Sequence, residues 1–175
     1  RITDKTRLII INSPQNPTGS VMTPEELDEV FHIAEEKDIY LLCDEIYSRM
    51  VYDDNKFFYS PSNRDQCLER TILTNGFSKA FAMTGWRLGC VIGPEMVIEK
   101  MGLLLQTTSS CVSPFIQRAG IEAIRGSQDA VKNMMNEYKE RRDILVDGLN
   151  AIPGVECIKP GGAFYVFPNI TKTGM

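Results

Sequence analysis

The chain has 175 residues and a formal net charge of −4, and 43% of its residues are hydrophobic. This composition is typical of a globular protein, and the lack of a basic stripe argues against nucleic acid as a main partner. No apolar run reaches membrane-spanning length, and we expect neither a signal peptide nor a membrane partner.

The cysteines and the single histidine indicate neither a disulfide framework nor a metal site. Five cysteines are present, an odd number with irregular spacing and no Cys-x-x-Cys pair. His32 alone cannot supply a typical zinc ligand set or a Cys-His nucleophile. We therefore expect no metal and a reducing compartment, the cytoplasm.

The first part of the chain has the pattern of an α/β protein. Arg7–Ile11 is a continuous apolar run that predicts a strand buried on both faces. Thr23 and Glu26 form a capping box around a proline at the first helical position, which predicts a helix to about Asp38. Ile39–Cys43 is the next apolar run. A strand, a helix and a strand within this length form a βαβ unit with parallel pairing.

The remaining elements are predicted from the same periodicities. A polar, turn-rich stretch covers Asp53 to Asp65, and the strands that follow it are predicted at Thr71–Thr74 and Leu88–Gly93. Helices are predicted from Glu95 to about Gln106, from Phe115 to about Arg125 and from Gln128 to about Asn150. Val155–Ile158 and Ala163–Phe167 then predict a short hairpin. The change from buried strands to a helix and a hairpin indicates a second, α+β domain with its boundary near Gly126.

A lysine and an arginine follow the third predicted strand. Lys79 lies among small and apolar residues, where an ammonium is costly to maintain, and a neutral amine is what Schiff-base chemistry requires. Arg87 offers a donor fork that suits a phosphate. The pair points to pyridoxal phosphate (PLP), whose aldehyde bonds a lysine and whose phosphate needs an anchor. The alternative is a surface lysine and an arginine in a salt bridge.

Further polar residues follow the first two strands. Asn16 comes after the first strand and Asp44 ends the second, as Lys79 follows the third. All three are therefore expected at the edge of the sheet formed by the carboxyl ends of the strands, where ligands bind in open parallel sheets. Asp44 suits the pyridine nitrogen of PLP, which a carboxylate keeps protonated, and Asn16 and Tyr47 can donate to the 3-oxygen of the ring. The alternatives are a helix-capping role for Asp44 and a turn-forming role for Asn16.

These motifs resemble those of the class I and II aminotransferases, the fold-type I PLP enzymes of the aspartate aminotransferase superfamily. The resemblance covers nearly the whole chain. It is carried by Asn16-Pro17-Thr18-Gly19, by Asp44-Glu45-Ile46-Tyr47, by Gly76-Phe77-Ser78-Lys79 running to Gly85-Trp86-Arg87-Leu88-Gly89, and by the later stretch Gly161–Pro168.

The resemblance implies a role for each motif residue. Lys79 would be the catalytic lysine bonded to PLP, Asp44 the partner of the pyridine nitrogen, Asn16 and Tyr47 the ligands of the 3-oxygen, and Arg87 a ligand of the phosphate. One position departs from the family pattern, because several relatives carry a phosphate-binding serine where this chain has Gly76. Either Ser78 or groups outside this chain would then replace it. The resemblance implies a place for Tyr165 at the substrate cavity, whereas an aromatic residue in a strand is more often part of the core. Trp86 is expected to be a core residue.

The resemblance also implies the fold and the activity. The expected fold is α/β with a three-layer, mainly parallel sheet, in which residues 1–125 form the second half of the PLP-binding large domain and residues 126–175 begin a small α+β domain. The chain would then be an internal piece of a homodimeric aminotransferase that moves an amino group between an amino acid and a 2-oxo acid. A PLP-dependent C-S β-lyase of the same fold and a ligand-sensing domain of a transcription regulator remain alternatives.

Overall fold

The computed structural model describes residues 1–52 and 58–174. Residues 53–57, part of the predicted turn-rich stretch, lie outside the described residues. The elements in chain order are β1 (Leu8–Asn12), α1 (Pro24–Glu36), β2 (Tyr40–Asp44), α2 (Ser62–Asp65), β3 (Thr71–Gly76), α3 (Phe77–Ala80), a 3-10 helix (Thr84–Trp86), β4 (Gly89–Ile92), α4 (Glu95–Thr108), α5 (Pro114–Arg125) and α6 (Asp129–Asn150).

The four strands form one mostly parallel sheet in the order β1-β2-β3-β4. β2 is parallel to both β1 and β3, whereas β4 is antiparallel to β3. The register places Asn12, Asp44 and Thr74 side by side at the carboxyl ends of the three parallel strands. The prediction of an α/β fold with a mainly parallel sheet is confirmed.

Helix α1 packs its apolar face on β1 and β2. Leu27, Phe31 and Ala34 of this helix form one buried cluster with Ile11 and Leu41. The predicted capping box is present, because the Glu26 N–H donates to Thr23 Oγ1 at 3.2 Å and the Thr23 N–H donates to Glu26 Oε2 at 2.8 Å. The βαβ unit therefore has both its helix start and its core as predicted.

The prediction that the first strand is buried on both faces is wrong for the described residues. Ile9 and Ile11 pack on the α1 side, but Ile10 is 67% exposed and Leu8 is also exposed. The physical reason is that α1 covers only the face of β1 that carries Ile9 and Ile11. A continuous apolar run does not itself distinguish this arrangement from full burial.

The predicted C-terminal hairpin is also wrong. Ala163–Phe167 is not a strand, and Glu156 pairs through a single antiparallel bridge with Asn169. The backbone of the intervening segment pairs elsewhere, because the Gly162 N–H donates to Gly19 O and the Ala163 N–H donates to Met50 O, each at 2.9 Å. Non-local backbone hydrogen bonds have replaced the expected local pairing.

The chain divides into two compact units by its internal contacts. The first comprises residues 1–12, 22–46 and 59–126, and the second comprises residues 13–21, 47–58 and 127–175. Two segments that precede Gly126 thus group with the C-terminal residues, and the domain boundary near Gly126 stays a prediction. Within the described ranges, no helix combines the length and the apolar character needed to cross a membrane.

Candidate active site

In the first unit, Asp44 lies at the carboxyl end of β2, where the predicted site begins. Its backbone carbonyl accepts a hydrogen bond from Asn12 Nδ2 at 3.2 Å, and its Oδ1 accepts one from the Ile46 N–H at 3.2 Å. The residue therefore caps its own turn rather than a helix. Among the residues that the structure describes, its Oδ2 has no hydrogen-bond partner, so one carboxylate oxygen of this half-buried side chain is available to a ligand.

Lys79 and Arg87 lie on one closed loop between β3 and β4. Gly76 pairs with Gly89 in the antiparallel ladder, and the Phe77 N–H donates to Leu88 O at 3.1 Å. These contacts close the loop at its base. An amine and a guanidinium are thereby attached to the same short segment, directly after the strand whose Thr74 lies beside Asp44.

Ser78 and Lys79 are neighbours in the short helix α3, and both are half-buried. The rings of Phe77 and Phe81 stack at 5.5 Å and hold this helical turn. In the described part of the chain, the Ser78 hydroxyl has no hydrogen-bond partner. A hydroxyl beside the lysine is therefore available to an anionic ligand.

Arg87 lines an open groove of about 860 Å³ on the first unit. Its backbone is left-handed (φ 52°), which is unusual for a residue other than glycine, and its Nη1 donates to Thr84 O at 2.9 Å. Thr74, Asn75 and Trp86 line the same groove. Trp86 is 43% exposed, so its predicted role in core packing is wrong. Trp86 is the last residue of the 3-10 helix and lines the groove instead.

The surroundings of Gly76 leave limited room for a side chain. A Cβ at this position would lie 2.9 Å from Ile46 Cδ1 and 3.4 Å from Leu88 O, so a side chain here would require the flexible end of Ile46 to shift. Ser78 is the hydroxyl nearest in sequence to Lys79 that the chain can offer to a phosphate.

Glu45 is a buried carboxyl that the sequence analysis treated only as part of a motif. It is 5% exposed, and Ser60 Oγ donates to its Oε1 at 2.5 Å. Burial raises the pKa of this carboxyl to about 7, with a smaller contribution from the neighbouring Asp44. The sequence gives no local signal for this burial, because the alternation that buries Leu41, Cys43 and Glu45 is visible only in the structure.

Asn16 and Tyr47 belong to the second unit. Asn16 is exposed, in a turn that the Gly19 N–H closes by donating to Gln15 O at 2.8 Å. Tyr47 is buried, 3% exposed, and its hydroxyl lies 2.5 Å from that of Tyr165. Tyr165 is half-buried and lies outside any strand, so it is not the core strand residue that was expected. The sequence analysis missed this hydroxyl pair.

The histidine, cysteine and acidic side chains of the described residues form no candidate metal centre. No group of three or more His, Cys, Asp or Glu residues there could hold a metal ion, and all five cysteines are free thiols. Cys90 is exposed in β4, whereas Cys43 is buried in β2. The donor set at the strand ends is a carboxylate, an amine, a hydroxyl and a guanidinium.

Comparisons with known proteins agree on one family. Residues 1–174 match the model of the aminotransferase class I and II family. The chain is 47% identical to an aromatic-amino-acid aminotransferase of Thermococcus litoralis and 46% identical to an aspartate aminotransferase of Pyrococcus abyssi, in each case over 99% of this chain and 45% of the relative.

Solved structures give the same result. The fold matches an aromatic aminotransferase from Pyrococcus horikoshii with a TM-score of 0.93 and 45% identity, over 99% of this chain and 47% of that one. It matches an aspartate aminotransferase from Rhizobium meliloti with a TM-score of 0.91 and 36% identity, over 98% and 43%. The chain spans less than half the length of these relatives. On its sequence and its fold, the chain belongs to the class I and II aminotransferases.

Proposed function

We propose that the protein is a PLP-dependent aminotransferase that moves an amino group between an amino acid and a 2-oxo acid. The names of the relatives, aspartate and aromatic-amino-acid aminotransferases, support this reaction over β-elimination or ligand sensing. The observation that carries the proposal is the closed loop Phe77–Leu88, which bears both Lys79 and Arg87 directly after the strand beside Asp44.

The residues of the first unit fit PLP by their chemistry. An aldehyde needs an amine, a phosphate needs a guanidinium and hydroxyl donors, and a pyridinium needs a carboxylate. Lys79, Arg87, Ser78 and Asp44 supply these groups. The free Oδ2 of Asp44 and the unpartnered Ser78 hydroxyl, both in the described part of the chain, support the assignment.

Each residue then has a defined task. PLP, when bound, supplies an electron sink for the bonds at the substrate Cα. Asp44 keeps a proton on the pyridine nitrogen, and Arg87 and Ser78 hold the phosphate. The Lys79 amine accepts the Cα proton and returns it as general base and acid. Asn16 and Tyr47 donate to the 3-oxygen, a role supported by the family motifs and by the position of Tyr47 three residues after Asp44.

The same proposal covers the setting of the enzyme. We propose a homodimer in the cytoplasm, with small-molecule substrates and neither a nucleic acid nor a membrane as partner. The five free thiols support a reducing compartment, and the net charge of −4 gives no support to nucleic acid. Residues 1–125 would belong to the PLP-binding domain, and residues 126–175 would begin the small domain.

The visible absorption spectrum of the full-length protein with PLP tests the reaction. Lys79→Ala should abolish the absorption band of the bound cofactor, while Lys100→Ala, which removes an exposed lysine of α4, should keep it. Adding aspartate or an aromatic amino acid should shift the band in the wild type. A wild-type protein without a band would refute the assignment. Release of free ammonia together with pyruvate and a thiol from a cysteine thioether, in place of amino-group transfer, would identify a lyase.

A further inference from the structure

We propose that Tyr165 is a positioning residue that orients the hydroxyl of Tyr47 towards the 3-oxygen of the cofactor. The inference rests on the proposed function, because it takes Tyr47 as a donor to that oxygen. Its structural basis lies wholly within the second unit, where the two phenol oxygens are 2.5 Å apart.

The direction of this hydrogen bond follows from the donor count. A phenol carries one O–H donor and can also accept. If Tyr47 donates to the 3-oxygen, it has no second proton to give to Tyr165. The proton between the two phenols must then come from Tyr165, whose O–H donates to the Tyr47 oxygen. A donor that itself accepts a hydrogen bond is polarised and becomes a stronger donor.

Aromatic contacts fix the rings that carry the two hydroxyls. The Tyr47 ring meets the rings of Phe164 and Tyr165 edge-on, at 5.5 Å and 5.7 Å between centroids. Phe164 also stacks on Tyr138 at 5.8 Å. Such contacts hold each ring in one orientation. The hydroxyl of buried Tyr47 is thereby restricted before any ligand binds.

The backbone brings Tyr165 to this position. The Met50 N–H donates to Tyr47 O at 2.7 Å, and the Ala163 N–H donates to Met50 O at 2.9 Å. The Tyr52 hydroxyl also donates to Ala163 O. The segment that carries Tyr165 is therefore attached to the residues that directly follow Tyr47, so the contact between the two phenols does not depend on side-chain reach alone.

The test measures the pH at which the visible band of the bound cofactor titrates in the full-length protein. A hydrogen bond donated to the 3-oxygen favours the form without a proton there and lowers the titration midpoint. Tyr47→Phe should raise the midpoint by about 1–2 pH units. Tyr165→Phe should raise it by about 0.2–0.5 unit, because it removes only the polarisation of Tyr47.

Two further variants make the test specific. Tyr138→Phe removes a hydroxyl from the same aromatic cluster without touching the Tyr47 oxygen, and should leave the midpoint unchanged. In the double variant Tyr47→Phe with Tyr165→Phe, the second substitution should add no shift, since Tyr165 acts only through Tyr47. Thermal unfolding of each variant monitors folding.

The outcomes separate this inference from the proposed function. If the wild type shows the band but Tyr165→Phe titrates at the wild-type midpoint, the positioning role alone is overturned. The same conclusion follows if the midpoint shift of the double variant equals the sum of the two single shifts. A wild-type protein without a band overturns both proposals. A small shift in Tyr165→Phe that disappears in the Tyr47→Phe background supports the role of Tyr165.

Discussion

The two units hold their candidate site residues by different means. In the first unit, the carboxyl ends of parallel strands place Asp44, and a loop closed by backbone pairing places Lys79 and Arg87. In the second unit, Tyr47 and Tyr165 lie outside strands and are held by a hydroxyl contact, edge-on rings and a few loop hydrogen bonds.

This difference predicts which substitutions should displace the site residues of each unit. Strand register depends on many cooperative hydrogen bonds, so a strand-end residue keeps its place unless the strand itself is displaced. Loop residues depend on a few specific contacts, and a single side chain or Cβ can move them. The following predictions test whether buried carboxyls support the first unit and close packing supports the second.

The largest effect on stability is expected at Asp65, which anchors the start of β3. Its two carboxylate oxygens accept hydrogen bonds from the backbone N–H groups of Cys67, Arg70 and Thr71 at 2.9–3.0 Å. Asp65→Ala leaves these buried donors unsatisfied and should lower the free energy of unfolding by about 3–5 kcal/mol. Urea unfolding measures the loss. Asp147→Ala, at an exposed position of α6, should change it by less than about 1 kcal/mol.

The Asp65 effect should also depend on pH. Burial acts to raise the pKa of this carboxyl, but the hydrogen bonds from the backbone N–H groups of Arg70 and Thr71 outweigh it, so the pKa is lowered in the native protein. Its stabilisation is therefore present above the ordinary aspartate pKa and is lost as the pH falls through the lowered native pKa. A loss of equal size at neutral pH and well below that native pKa would contradict this role.

Glu45 should produce a pH dependence of the opposite sign. Its pKa is raised from 4.5 to about 7 in the native protein, so the folded chain keeps a proton that the unfolded chain releases. Wild-type stability should fall as the pH rises from about 4.5 to 7, by up to about 3 kcal/mol from this group.

The Glu45→Gln variant should lack this part of the pH profile. It keeps an oxygen that can accept from Ser60 but cannot ionise. Glu36→Gln, at an exposed position near the end of α1, serves as the control and should retain the wild-type profile. Thermal unfolding between pH 4.5 and 7 compares the three proteins. Identical profiles for wild type and Glu45→Gln would disprove the assignment of this pH dependence to Glu45.

The smallest of these effects is expected from one methyl group in the second unit. A Cβ on Gly162 would lie 2.7 Å from Met50 O and 2.8 Å from Pro14 Cβ. Gly162→Ala should therefore push the Tyr165 segment from its backbone partners and destabilise the protein by about 1–3 kcal/mol. Gly148→Ala is the matched control, because it adds the same methyl group on α6 where nothing lies within 4 Å.

The control should have the opposite sign. Alanine is the better helix former by about 1 kcal/mol, so Gly148→Ala should stabilise the protein slightly. Urea unfolding reports both changes. Destabilisation of equal size by the two substitutions would show that close approach at Gly162 is not the cause.

Local signals accounted for what the sequence could predict. Apolar runs, the Thr23–Glu26 capping box and the motif around Lys79 each depend on neighbouring residues, and the βαβ unit and the sheet type followed from them. The predictions failed where distant segments meet. The hairpin was wrong because Gly162 and Ala163 pair with Gly19 and Met50, which no local periodicity encodes.

The same limit applied to the candidate site. Asp44, Lys79 and Arg87 could be identified from motifs that also set their positions on strands and loops. The contact between Tyr47 and Tyr165 joins residues 118 positions apart, and the burial of Glu45 depends on the loop that carries Ser60. Exposure was also misjudged for Trp86 and Ile10, because side-chain type alone does not show which face a neighbouring element covers.

The most direct test of the central claim is to locate the residue that bonds PLP. The full-length protein would be incubated with PLP, reduced with borohydride and digested, and its peptides would be mapped by mass spectrometry. The account predicts that the cofactor mass is found on the peptide containing Lys79 and is absent after Lys79→Ala. A cofactor adduct confined to other lysines, or the same adduct pattern in Lys79→Ala, would contradict it.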